Sequence, residues 1–143
     1  MSVAVESMRG YAHPWLCDVM GHMNSRHIFA LFDDASFQFF ALLGYPFAEQ
    51  QKRGLGWADV HLEIDLSHEV AAGTALIVRT IVLKIGTKSF TCCHELFTAY
   101  SDVLHARMTV VTACFDLTAR RAAPLPDDFR ERARPYIADL SAG

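Results

Sequence analysis

The run Trp15-Leu16-Cys17-Asp18-Val19-Met20-Gly21-His22-Met23-Asn24-Ser25 brings a carboxylate, a glycine turn, an imidazole and a polar cap together in one short segment. Asp18 is suited to act as a nucleophile or a general base. Asn24 or Ser25 is a natural N-cap for the apolar stretch that follows. A helix starting there directs unpaired backbone N–H groups and a partial positive charge toward whatever Asp18 faces, which is a place to hold an oxyanion. The competing role for Asp18 is structural, because an aspartate near a helix N-terminus commonly caps it.

These residues need a helix and a sheet to position them. Ser25 to Leu43 contains neither Gly nor Pro, so a helix of about 28 Å fits there, ended by Gly44 and Pro46. Ile28, Phe29, Leu31, Phe32, Phe37, Phe39, Phe40, Leu42 and Leu43 do not collect on one narrow stripe, so this helix is expected to be buried on several sides. Arg26, Asp33, Asp34 and Gln38 interrupt it well short of a membrane span.

Met8 to Cys17 reads as a first strand, with Tyr11, His13 and Trp15 on one side and Pro14 at a bend or edge. Further strand-like runs cover Trp57–Leu66, Thr74–Ile85, Lys88–Tyr100 and Val103–Asp116, and short connections make the last three antiparallel neighbours. In the first of these, Ala58, Val60, Leu62, Ile64 and Leu66 alternate with Trp57, Asp59, His61, Glu63 and Asp65, which predicts one apolar and one mixed face. Pro124 to Ile137 reads as a turn and a short helix from about Asp127. The expected layout is α+β, a curved antiparallel five-stranded sheet around one long helix, in a single domain spanning 1–143.

Composition narrows the function. The formal charge is −3 and the basic residues are scattered apart from a modest cluster between Arg120 and Arg134, which argues against nucleic acid and anionic membranes as partners. A 52% apolar content implies a full core or a surface covered by another subunit, so an oligomer is expected. Cys17, Cys92, Cys93 and Cys114 have neither CxxC nor disulfide-like spacing and read as reduced thiols, mostly buried. Met1 to Arg9 lacks the pattern of a signal peptide, and the expected location is the cytoplasm.

The order Asp18-x-x-Gly21-His22-x-Asn24, running into a helix with Phe32-Asp33-Asp34-Ala35, resembles the signature of the hotdog-fold thioesterases of the 4-hydroxybenzoyl-CoA thioesterase-like group. The resemblance extends over nearly the whole chain, including the Ile85-Gly86-Thr87-Lys88-Ser89 turn and Pro124-Leu125-Pro126. It implies a hotdog fold and hydrolysis of an acyl-CoA to free acid and CoA, with no separate cofactor. Asp18 would be the catalytic carboxylate and the Ser25 N–H would polarise the carbonyl, while Gly21, His22 and Asn24 would shape the turn. A homodimer or homotetramer would join sheets edge to edge with sites at subunit interfaces. Leu16 stands where many relatives carry a second Asp, and Ile28 where an aromatic residue is common; both departures bear on the acyl group.

Trp15 and Gly21-His22-Met23 are also similar to the thioesterase domains fused to some carnitine dehydrogenases, which implies an aromatic cage for a quaternary ammonium acyl group, built from Trp15 or Trp57. A core role is the more common one for both tryptophans. His61 and Glu63 could line the acyl pocket across an interface, and Lys88 with Arg79 could meet CoA phosphates. No metal is expected, since His13, Cys17, Asp18, His22 and His27 lack zinc-site spacing. Two rival functions share this layout. One is a non-catalytic acyl-CoA-binding or assembly subunit, and the other a hotdog-fold acyl-CoA hydratase, for which His27 is a poor match.

Overall fold

The computed structural model describes residues 4–138. Its elements in chain order are β1 (Val5–Tyr11), α1 (Ser25–Leu42), α2 (Phe47–Arg53), β2 (Leu55–Leu66), β3 (Ala75–Ile85), β4 (Ser89–Thr98), β5 (Leu104–Asp116), the short β6 (Arg121–Ala122) and α3 (Asp127–Ala133). All strand pairings are antiparallel, in the order β1-β3-β4-β5-β2, and β6 pairs with β5. The sheet curls, and α1 packs against β1, β3 and β4. Among the described residues no single helix is long and apolar enough to cross a membrane.

The first strand is displaced from its expected position. It ends at Tyr11, because buried Ala12 is followed by Pro14, which opens a 3-10 turn over Pro14–Leu16 rather than continuing the ladder. Tyr11, His13 and Trp15 nevertheless stay together: the His13 and Trp15 rings stack with centroids 4.3 Å apart.

Helix α1 has the expected bounds within one residue, and Gly44 adopts the left-handed conformation that stops it. Its burial differs from expectation. Ile28, Phe32, Ala35 and Phe39 form one stripe, joined by Phe40, whereas Phe37 is 60% exposed and Phe29 and Leu42 also reach solvent. One chain's sheet covers one side of this helix and leaves an apolar flank open.

Pro46 does not end helical structure. It is the N-cap of α2, which closes at Gly54 in the left-handed region. Tyr45, buried, donates its hydroxyl proton to Asp128 of α3, and Arg53 of α2 reaches the same carboxylate at 2.6 Å. These contacts hold Asp128 well below the usual carboxylate range, the Arg53 hydrogen bond being the main cause, and they fasten α2 and α3 over one end of the sheet.

The alternation expected of β2 holds for only half the strand. The ladder with β5 shifts register between Asp59 and His61, and the extra residue inverts which side chains face inward. Before the bulge Trp57 points into the core, against Phe40, Phe90 and Phe129; after it Ile64 does. The four cysteines are free thiols, buried except for the half-buried Cys17.

Candidate active site

Asp18 sits at the start of a three-residue hairpin loop. The Gly21 N–H donates to the Asp18 carbonyl at 3.0 Å and the Asp18 N–H to the His22 carbonyl at 2.9 Å, with Gly21 at φ 78°. This is a turn closed by a residue in the left-handed region, where glycine carries no Cβ penalty. Cys17 bridges Met23 behind it, so Asp18 and His22 are cross-strand neighbours on one face. The Asp18 carboxylate is exposed, and its Oδ1 accepts the Met20 N–H at 2.9 Å.

The hairpin runs directly into α1. Asn24 anchors the junction by donating its N–H to the Leu16 carbonyl at 2.9 Å. Its side-chain Oδ1 accepts the Arg26 N–H, and its carbonyl accepts the N–H groups of His27 and Ile28. The helix cap is therefore Asn24 and not Asp18, so capping does not account for the aspartate. Ser25, at the first helical position, retains an N–H with no partner among the described residues.

A cleft of about 380 Å³ opens at this point, lined by Asp18, His22, Asn24 and Ser25 on one side and by Leu66 to Val70 on the other, with Met20, Met23 and Ile28 supplying apolar wall. The far wall is fixed by a residue the sequence did not single out. Buried His105 accepts the N–H groups of Ser67 and His68 on its carbonyl, and its ring Nδ1 lies 3.1 Å from the His68 carbonyl. A carbonyl only accepts, so Nδ1 carries the proton and Nε2 accepts the Thr98 hydroxyl at 2.7 Å. The Met23 N–H to Val70 carbonyl bond, 2.7 Å, ties the two walls together. Glu69, equally unforeseen, places Oε2 3.1 Å from His22 Nε2.

Four of the expected side chains thus share one cleft, Asp18, His22, Asn24 and Ser25, with Gly21 forming the turn between them. Six others lie away from the cleft. Trp57 is a core residue, its indole N–H buried without a partner among the described residues, because the β2 bulge turns it inward. Trp15 stacks on His13 outside the cleft. His61 and Glu63 form an exposed pair at 3.2 Å on the β2 edge. Lys88 borders a separate surface hollow with Asp116 and Arg121, and the Arg79 guanidinium lies over the Phe97 ring. His27, Asp33 and Asp34 do not line the cleft either. Asp33 is half-buried, and its carboxyl is pushed up by that burial and then by the charges of Asp59 and Asp34. No group of three or more His, Cys, Asp or Glu residues is arranged to hold a metal ion among the described residues.

A second polar group escaped the sequence reading. His94 lies buried beneath α1, with Ser36 Oγ 3.1 Å from Nε2 and Thr80 Oγ1 2.7 Å from Nδ1. Ser36 donates to the Phe32 carbonyl, so its oxygen accepts from Nε2–H, and Thr80 donates to Nδ1. Ser7 completes the chain at 2.7 Å from Thr80. Every partner is satisfied with a neutral ring, and burial pushes the imidazole down to about 4.

Residues 12–133 match the model of the thioesterase-like superfamily. No curated protein matches the sequence significantly. Among solved structures, Slr0204 from Synechocystis, a 1,4-dihydroxy-2-naphthoyl-CoA thioesterase, superimposes with a TM-score of 0.79 at 20% identity, covering 95% of this chain and 97% of that one. SAV2348 from Staphylococcus aureus, solved in complex with CoA, gives a TM-score of 0.84 at 16% identity, covering 90% and 81%. A predicted thioesterase from Bacillus stearothermophilus gives 0.79 at 22% identity, covering 92% and 95%. At these identities the likeness establishes the fold, which is the hotdog.

Proposed function

Because this chain belongs to the thioesterase-like superfamily, we propose that it is an acyl-CoA thioesterase whose reacting groups are Asp18 and the Ser25 N–H. The observation that carries this reading is the division of labour at the helix start. Asn24 caps α1, which leaves Asp18 and the open Ser25 N–H on the same cleft. Attack on a thioester builds negative charge on the carbonyl oxygen, and a fixed N–H at a helix N-terminus stabilises that charge without reorganising. Asp18 acts on the carbonyl carbon directly, forming a mixed anhydride, or by taking a proton from water. Coenzyme A enters as part of the substrate, so no other cofactor is required.

The working unit in this reading is a homodimer or a dimer of dimers. Among the described residues β2 ends the sheet, with Val60, Leu62 and Leu66 exposed, and α1 leaves Phe29 and Phe37 uncovered. A second copy that pairs at this edge covers both and brings its own β2 residues, His61 among them, toward the first copy's cleft. The family group is that of the 4-hydroxybenzoyl-CoA thioesterases, on the strength of Asp18-x-x-Gly21-His22-x-Asn24.

The Met20 N–H on Asp18 Oδ1 favours one other reading, in which the aspartate serves the turn alone and the protein binds acyl-CoA without cleaving it. Thiol release from short, long, aromatic and betaine-like acyl-CoAs separates the two. The enzyme releases CoA catalytically from at least one; the binding subunit retains acyl-CoA at equilibrium and releases none.

A further inference from the structure

The two ends of the cleft differ in what they can accept. A thioester carbonyl held on the Ser25 N–H carries two substituents with opposite needs. The CoA arm is long, polar and charged, so it leaves toward solvent, on the side where Ser67, His68 and Glu69 are exposed. The acyl group is then directed inward, where Met23, Ile28 and Val70 are 5%, 6% and 1% exposed. All three belong to the hydrophobic core, so this end of the cleft stops on packed side chains. Ile28 lies one turn after Ser25 on the same face of α1, and a helical side chain tilts toward the N-terminus of its helix. That tilt aims Ile28 at the space below the Ser25 N–H. Met23 and Val70 are held beside it by the 2.7 Å bond between the two walls. Among the described residues that line the cleft, Asp18 and Glu69 are carboxylates and none is Lys or Arg.

We infer that Ile28, with Met23 beside it, sets the length of the acyl group, and that the substrate is a short-chain acyl-CoA whose acyl group carries no carboxylate. The inference rests on the thioesterase reading and names the substrate class of the same cleft. The cleft, about 380 Å³, has to hold the thioester, the adjoining part of the CoA arm and the acyl group together. A chain too long for the floor would have to drive Ile28 into the core behind it, and packed interiors resist added methylenes. A carboxylate on the acyl group would meet Asp18 and Glu69 with no cationic side chain of the lining to offset them.

The test is kcat/KM for thiol release from acetyl-, butyryl-, hexanoyl-, decanoyl-, benzoyl- and succinyl-CoA by the wild type, Ile28→Ala, Ile28→Val and Ile28→Phe. The wild type should peak at acetyl- or butyryl-CoA. Ile28→Ala should move the peak toward hexanoyl-CoA and raise the hexanoyl-to-acetyl ratio roughly tenfold or more. Ile28→Val should go part of that way, and Ile28→Phe should lower the ratio. Each ratio is taken within one preparation, so it does not depend on how much of a variant folds. Ratios that stay constant across the series would overturn the inference and assign Ile28 to the fold alone. A wild type that prefers decanoyl- or benzoyl-CoA would also overturn it, sending the acyl group past Leu66 along the open flank of α1, and so would a preference for succinyl-CoA. All three results leave a thioesterase in place. A wild type that releases no thiol from any acyl-CoA removes the thioesterase reading itself, and this inference with it.

Discussion

The side-chain oxygen of Asn24, the helix cap, accepts the Arg26 N–H at 3.1 Å and so passes over the Ser25 N–H, which is left open at the cleft. The open donor is useful only because none of the described residues competes for it. This relationship allows a substitution that removes the donor and little else. Proline is tolerated at the first helical position, and Asn24 already has the extended backbone, φ −67° and ψ 142°, that a following proline demands. Ser25→Pro should fold with α1 intact and lose roughly 10²- to 10³-fold in kcat, whereas Ser25→Ala should be nearly neutral. Steady-state thiol release with circular dichroism on both variants checks this.

Gly21 offers a complementary substitution. Its φ of 78° is in the left-handed region, and an added Cβ would meet nothing within 4 Å, so an alanine there costs conformational strain alone. Gly21→Ala should lower stability by roughly 1–2 kcal/mol and reduce activity by displacing Asp18. Gly21→Asn should be milder on both counts, because asparagine visits that region readily. Urea unfolding and thiol release on the two variants provide the comparison.

His94 makes stability depend on pH. In the unfolded chain an imidazole takes its proton near 6.5, but in the fold it does so only near 4. Between those values the unfolded state holds more protons, so this contribution is complete above 6.5 and is lost as the pH falls toward 4. From 6.5 to about 4, at 1.36 kcal/mol per pH unit, the loss approaches about 3 kcal/mol. The readout is the difference in urea-unfolding free energy between the wild type and His94→Gln at pH 7.5 and pH 4.5, since the glutamine keeps polar contacts without titrating. The wild type should lose more than the variant on acidification; parallel losses would locate the acid sensitivity elsewhere.

How much of this was legible in the chain depends on the range over which each feature is determined. Asp18, Gly21, Asn24 and Ser25 lie within one turn and one helix start, so their local chemistry was visible in residue order. The β2 alternation alone puts Trp57 on the mixed face, because one extra residue near Val60 inverts the pattern and a bulge leaves no mark in an apolar-polar sequence. Helix α2 is hidden in the sequence because Pro46 reads as a stop when seen from α1 and as a start when seen from Phe47. Glu69 and His105 are far from Asp18 in sequence, and only the pairing of Met23 with Val70 and the wall bonds of His105 bring them to the cleft. Phe37 read as core because an apolar helix looks the same whether its own sheet or another subunit covers it.

That last point leads to a prediction on assembly. Leu62 is partly exposed on the unpaired edge strand beyond the bulge, where a second copy would pair. Leu62→Glu should shift the protein toward monomers in sedimentation velocity and lower thiol release together with the dimer fraction. An unchanged distribution would place the contact between copies on another face.

The central claim is that Asp18 and the helix start cleave a thioester, and the most direct test is thiol release by the wild type and Asp18→Asn side by side on one acyl-CoA. The account predicts turnover that falls by 10²-fold or more in the variant, with the circular dichroism spectrum and thermal midpoint retained. Equal turnover in the two proteins would contradict it, leaving a thioesterase whose reacting carboxylate is not Asp18.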